Sequence, residues 1–483
     1  MRKLAFALAA ILALGMTACD TSAPVASDTT AANADTTTAA ETESAYDYPT
    51  LDWGGDDFTI LNSDTSHWGF YSYIDFEEQT GESLDDAVYS RNRDMEERYN
   101  FKLEIVTEDV DKNYELYKTA ILAGDDVYDV AYIRCDRLSA FILDGYLCNL
   151  LDYDTFRLEE PWWDQLVMDK ALIGDMDALY FAANDVSLSG LDGTLCTYFN
   201  EDMLADLQLD TPYQLVRDGK WTIDKLGEYA AAGANLNGDD SFAWNVSGKS
   251  IYGLTSFEDC VNGFLTGAGR SYIEIEDGQP SLVKDNEKFF NLFEKIYAIT
   301  GTAGDFIYKN GSGNEHYEMI FKNGRALFTV AEIKASSKYR DMEATFGIVP
   351  IPKYDETQKE YYSHRTHVCP TISMPVTNKK PSETGIIMDA LAYETYEDIL
   401  PIYYDVKVAQ KGLRNDESIE MLQIIRAGRS FDIGEGYAWT ESLSAEVNRL
   451  YANTLQPTIV STLDSYRSAI EADIKKTMEY MSK

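Results

Sequence analysis

Asp57-Phe-Thr-Ile-Leu-Asn62 begins the stretch whose reading decides the fold. It is a short, mostly apolar run between Gly/Asp residues and Asn-Ser-Asp, the pattern of a buried strand. Glu82 to Tyr99 places Leu84, Val88, Met95 and Tyr99 on or near one face, which predicts an amphipathic helix. Phe101-Lys-Leu-Glu-Ile-Val106 alternates as a second strand. Tyr114 to Ala123 reads as helix and stops at Gly124. Val127-Tyr-Asp-Val-Ala-Tyr-Ile133 is a third strand, and Leu138 to Leu143 starts a helix that ends at Gly145. Strand and helix in alternation predict right-handed crossovers and a parallel sheet with helices on both faces. Ligands of such sheets bind outside the carboxyl ends of the strands. Those ends are Asn62 to Trp68 and Arg134 to Arg137.

Toward the N-terminus, Arg2 and Lys3 precede an apolar run from Leu4 to Leu14, and Gly15-Met-Thr-Ala18 leads to Cys19. This reads as a secretory signal, and the run is shorter than the ~20 residues of a spanning helix. Met16-Thr-Ala-Cys19 resembles a bacterial lipoprotein box, with cleavage before Cys19 and lipid on its sulfur. Two or three acyl chains there would anchor the chain stably. Asp20 to Ala45 is almost entirely Ser, Thr, Ala, Asp and Glu, so it cannot bury a core and reads as a flexible tether. The expected division is a signal over residues 1–18 and a lipid-anchored tether over 19–46. The expected location is the outer face of a cell membrane, and the tether length suits a Gram-positive wall. The work of the chain then lies away from cytoplasmic ATP and NADH.

The chain has 483 residues, enough for two domains with cores of their own. Its formal charge of -41 excludes nucleic acid and anionic surfaces as partners. The acidity is spread along the chain and reads as a solvated surface. Beyond Cys19 there remain Cys135, Cys148, Cys196, Cys260 and Cys369, an odd number with no CxxC spacing. Free thiols are expected, with a Cys135–Cys148 bridge left open.

Familiar chemical motifs are missing. Ser247-Gly-Lys-Ser250 lacks the leading glycine of a phosphate loop, since position 243 is Ala243. Gly267-Ala-Gly269 lacks the third glycine of a dinucleotide loop, since position 272 is Tyr272. No GxSxG, HExxH or SxxK stands in a persuasive context. His364-Arg-Thr-His367 offers two histidines without a fixed helix, and Asn235 to Asp240 has its glycine misplaced for an EF-hand. No metal and no cofactor are expected.

The remaining stretches carry a resemblance. Val127 to Ile133 with Phe141-Ile-Leu-Asp-Gly-Tyr-Leu-Cys-Asn-Leu150, then Leu179-Tyr-Phe-Ala-Ala183 and Tyr198-Phe-Asn-Glu-Asp-Met-Leu204, follow in order. After them come Trp221-Thr-Ile-Asp224, Tyr252-Gly-Leu254, Phe321-Lys-Asn-Gly-Arg-Ala-Leu-Phe328 and Phe346-Gly-Ile-Val-Pro-Ile-Pro352. In order and spacing these resemble the bacterial extracellular solute-binding proteins of family 1, the maltodextrin-binding receptors of ABC importers. Ala183, where that family often has proline, the longer insert Asp185 to Leu195, and the segment Ile402 to Ile433 depart from the pattern.

The resemblance implies an α/β, two-lobed periplasmic-binding-protein-like fold of type II, with a hinge crossed several times and a ligand cleft between the lobes. It places lobe 1 at residues 47–183 and 372–411, lobe 2 at 195–363 and 412–483, and hinge segments at 184–194 and 364–371. A third crossing is expected near Gly412. The Gly/Ser/Asp-rich run from Ala183 to Thr194 reads as a hinge on composition as well. The implied function is to bind a small-molecule solute, most plausibly an oligosaccharide, as a monomer, and to pass it to the permease subunits without chemistry. A surface carbohydrate-active enzyme and a binding-only nutrient sensor stay open beside it, as do peptide, polyamine and metal-chelate ligands. Candidate ligand residues are Trp68 and Asp136 at strand ends, Asn184 and Asp185 at the hinge, and Glu332 after Phe328 to Ala331. Trp439, Asn262 and His364 complete the set, whereas Trp162, Trp163 and Trp221 read as packing residues.

Overall fold

The computed structural model describes residues 46–66, 69–70, 72–173, 178–408, 416–452 and 458–482. The signal, Cys19, the tether up to Ala45, Trp68 and Gly412 therefore lie outside the described residues.

β1 (Asp57–Asp64) is the axis of the first sheet, with Phe58, Ile60 and Leu61 fully buried. It pairs in parallel with β2 (Lys102–Asp109) on one side and β3 (Val130–Arg134) on the other. α1 (Ser83–Tyr99) buries Leu84, Val88, Met95 and Tyr99, the four residues that its periodicity singles out. It also buries Arg91, whose guanidinium donates to Thr395, to Asn92 and to the carbonyls of Ile74 and Val186. α2 (Val110–Ala123) begins four residues earlier than its periodicity indicates, because the Asp109 carboxylate accepts from the Asp111 amide and caps it. It ends at Gly124, whose φ of +74° is the left-handed conformation glycine adopts without cost. α3 (Cys135–Leu143) leaves β3 directly.

Lobe 2 is built on a second sheet. Its strands are β4 (Leu195–Asn200), β5 (Tyr252–Ser256), then, after a small hairpin of β6 (Ile273–Glu276) and β7 (Gln279–Leu282), β8 (Phe306–Tyr308), β9 (Ala326–Glu332) and β10 (Phe346–Val349). The order across it is β10-β4-β9-β5-β8, with β5 parallel to both neighbours and β4 antiparallel to both of its own. The chain then passes β11 (Ser363–His364) and returns to the first sheet as β12 (Pro370–Ser373). Among the described residues the first sheet has the order β12-β3-β1-β2. β12 runs antiparallel to β3, which corrects the expectation of an all-parallel sheet. A strand coming back across the hinge enters at the end where β3 leaves, so it must run the other way. β13 (Arg429–Ser430) lies parallel to β11.

The outward crossing is dense. Every residue from Ala182 to Asn200 is buried, including the single turn α5 (Ser189–Asp192), which follows α4 (Gln165–Ala171). Arg429, 2% exposed, donates from Nε to Asp164 at 2.5 Å and from Nη1 to Asp185 at 2.7 Å. Arg426 reaches the other Asp185 oxygen at 2.9 Å. Tyr403 donates to Asp192 at 2.7 Å. Arg365 donates to the carbonyls of Cys369 and Pro370 and pins the return crossing. Buried charges are tolerated only when paired and hydrogen-bonded, and this set is. Cys135, Cys148, Cys196, Cys260 and Cys369 are free thiols, so the open Cys135–Cys148 bridge is not formed.

Candidate functional site

The site grows from the strand ends that face the crossing segments. In lobe 2, β5 ends at Ser256 and is followed by Phe257, Glu258 and Asp259, which are half-buried. The Phe257 ring stacks on Tyr317 with centroids 5.1 Å apart and planes at 17°. His316 lies against the Tyr317 ring at 4.5 Å. Tyr317 donates to Glu332 at 3.3 Å, at the end of β9, and Lys334 approaches the other Glu332 oxygen at 3.4 Å. Tyr308, at the end of β8, donates to Glu258. Burial, opposed by His367 and reinforced by Glu332 and Glu258, raises the Asp259 carboxyl to about 6.

On lobe 1 the end of β3 carries a second polar group. Arg134 holds Asp136 through two bonds, Nε to Oδ1 at 3.0 Å and Nη2 to Oδ2 at 2.7 Å. Asp136 stands in the first turn of α3, where a carboxylate also favours the helix dipole. Phe70, beyond β1, is buried beneath the Lys334 ammonium. A polar cavity of about 510 Å³ opens beside β1, lined among others by Asn62, Asp75, Arg93 and Thr107. Tyr317 is buried behind Phe257, so the half-buried Phe257, beside the Glu258 and Asp259 carboxylates, is what this end of lobe 2 offers to a hydroxyl-bearing ligand. Among the described residues no three His, Cys, Asp or Glu side chains gather for a metal. No described helix is long and apolar enough to cross a membrane.

The sequence matches no protein-family model and no curated protein. Solved structures do match over nearly the whole chain. An ABC substrate-binding protein of Listeria monocytogenes in complex with cycloalternan superposes with a TM-score of 0.53 at 12% identity, over 87% of this chain and 99% of its own. The maltose-binding protein MalE of the same organism, with maltose, gives 0.54 at 16% identity, over 87% and 98%. A sugar transporter of Rhizobium etli in an open conformation gives 0.54 at 12%, over 88% and 99%. The chain has the two-lobed α/β fold that these structures share.

Within that fold the candidate residues fall into separate groups. Asp136 and Glu332 sit at strand ends of lobes 1 and 2. Asn184 and Asp185 serve the crossing: Asn184 accepts from Tyr132 and from the Val186 amide, and both Asp185 oxygens face arginines. Against the penalty of burial, Arg429 and Arg426 hold Asp185 down to about 2. Asn262 and His364 join a third group: Asn262 donates to Glu435 at 2.9 Å and to Ser444 at 2.6 Å. His364 shares a bond with Thr266 at 3.1 Å and lies 3.7 Å from Glu435. Burial, with His367 and Arg365 nearby, pushes the His364 imidazole down to about 3, so it is neutral. Burial raises Glu435 well above its ordinary value, helped by Asp432 and Asp259. Trp439 packs inside, stacked on Tyr437 at 5.1 Å and donating to Thr477 at 3.0 Å. The residues that sequence reasoning missed are Phe257, Glu258, Tyr308, Tyr317 and Lys334. Extending the strand-end rule to Tyr252-Gly-Leu-Thr-Ser256 would have found the first two.

Proposed function

We propose that this chain is a lipid-anchored extracellular substrate-binding subunit of an ABC importer, a member of solute-binding protein family 1 that takes an oligosaccharide. The observation that carries the reading is the Phe257–Tyr317 pair at the lobe 2 strand ends, with the Glu332 and Glu258 carboxylates beside it. Sugar rings present apolar faces that stack on such aromatics, and their hydroxyls donate to carboxylates. The neighbouring structures with cycloalternan and maltose support the ligand class. In this reading lobe closure around the sugar is a population shift with no bond broken, and the permease reads the closed form. Lipid on Cys19 and the tether keep the receptor at the membrane.

The test is thermal unfolding of the protein against maltodextrins, cyclic glucans, raffinose-type sugars, peptides and polyamines. A ligand of the native state adds ~2.7 kcal/mol of stability at a hundredfold excess over its Kd. A raised Tm with the sugar recovered intact is the expected result. Cleaved sugar would overturn the binding reading in favour of an enzyme. No shift with any sugar would overturn the carbohydrate assignment.

A further inference from the structure

Phe70 and Lys334 meet where the two lobes and both crossing segments come together. Phe70 lies beyond β1 in lobe 1 and is 2% exposed. Its ring fits tightly against the crossing: a methyl group on Gly193 would stand 3.1 Å from Phe70 Cε1 and 3.0 Å from Thr366 Cγ2, and would overlap the Cys369 thiol. Glycine at 193 is therefore what allows lobe 1, the end of α5 and the return crossing to close on one point. From lobe 2, Lys334 brings its Nζ to 3.5 Å from the centre of the Phe70 ring. Its stem runs past Gly69, where a Cβ would lie 3.8 Å from Lys334 Cδ. The same ammonium is 3.4 Å from Glu332. Glu332 in turn accepts from Tyr317, which stacks on Phe257. One unbroken series of contacts thus runs from the aromatic wall of lobe 2 into lobe 1.

We propose that Lys334 and Phe70 form a latch between the lobes, and that Glu332 sets its strength by holding the ammonium over the ring. A cation above an aromatic face is attracted by the ring's negative quadrupole, and more strongly as water is excluded. The Lys334 side chain is only 13% exposed, so solvent screens it little. Phe70 follows a strand of one sheet and Lys334 follows a strand of the other, so separating the lobes must pull them apart. The latch acts on the ligand-free protein. It stands or falls independently of which solute is bound.

The experiment is single-molecule energy transfer on the full chain, with dyes on non-canonical residues at Leu122 in lobe 1 and Val246 in lobe 2, both exposed. Lys334→Met keeps the stem and removes the charge. It should lower the closed-to-open ratio between about twofold and thirtyfold, the range of a cation–ring contact. Lys334→Arg should hold the ratio near that of the parent, and Glu332→Gln should lower it. Phe70→Leu should lower it as well, and the double variant Phe70→Leu/Lys334→Met should fall no further than the stronger single change. An unchanged ratio in Lys334→Met, or effects that multiply in the double variant, would overturn the latch. Should Phe70→Leu fail to fold, the contrast between Lys334→Met and Lys334→Arg decides: equal losses in both refute the role of the charge.

Discussion

Replacing Arg429 with methionine should unmask the electrostatics of the hinge. Arg429 is the direct partner of Asp164 and one of two partners of Asp185. In the variant Asp185 keeps Arg426, while Asp164, 6% exposed, loses its ion pair. Burial already raises Asp164 above the ordinary carboxylate value, with Arg429 opposing. Without the arginine the ionised form becomes untenable, and the group takes up a proton instead. That proton costs more the further the pH stands above the ordinary carboxylate value, by up to roughly 1.4 kcal/mol per pH unit, less the share the parent carries because its Asp164 is already raised. The sign follows from linkage: a carboxyl whose folded pKa is raised contributes least penalty at low pH and increasingly destabilises as pH rises toward the folded value. Breaking a buried pair by removing one partner costs ~3–5 kcal/mol, which is the scale of loss expected at pH 7, with a smaller loss at pH 5. Urea unfolding of parent and Arg429→Met at both pH values measures it. A loss under 1 kcal/mol at pH 7, or the same loss at both pH values, would refute the reasoning.

Glu332→Gln together with Phe257→Ala should weaken binding of whichever sugar raises the Tm by at least tenfold by calorimetry, while unfolding in the absence of sugar moves by less than about 2 kcal/mol. Asp129, raised to about 6 by burial against the Thr59 amide that it accepts from, lowers stability as pH climbs through the range from about 4 to 6. Asp129→Asn should therefore stabilise the protein at pH 7 by about 1–3 kcal/mol and leave it nearly unchanged at pH 4, read from denaturation midpoints. Gly193→Ala should cost about 1–3 kcal/mol by overpacking against Cys369, and adding Cys369→Ala should recover part of that in the same assay.

The first sheet was legible because its strands and helices alternate in period. The four buried apolar and aromatic positions of α1 and the stop of α2 at Gly124 needed nothing beyond spacing and backbone geometry. The direction of β12 was not legible, because Pro370 to Ser373 reads the same whichever way it enters the sheet. Asp185 illustrates the limit for the site. Its place in the crossing could be read from composition, but its two arginines lie more than 240 positions away and only folding brings them to it. Trp439 entered the set because Gly436-Tyr-Ala-Trp-Thr440 resembles a family position that stacks on sugar, yet here the ring lies inward on Tyr437 after the short helix Ile433–Gly436. Tyr317 was hidden for a different reason: it opens the short helix Tyr317–Lys322, and only folding brings its ring against Phe257.

The pairing of β12 with β3 also constrains how the chain matures. Thr371 bonds to Ile133 across 238 positions, and all the strands of the second sheet lie in the interval between them. As synthesis proceeds from the N-terminus, the first sheet waits with the β3 edge unpaired while all the strands of the second sheet are made. The second sheet thus has its strands complete before the first, and the first sheet closes over a long sequence distance that slows its step. The waiting edge is a template for wrong partners. Overproduction of this protein should therefore fail, where it fails, through aggregation of a half-built lobe 1, and a rearranged gene that places residues 370–408 ahead of residue 57 should relieve it.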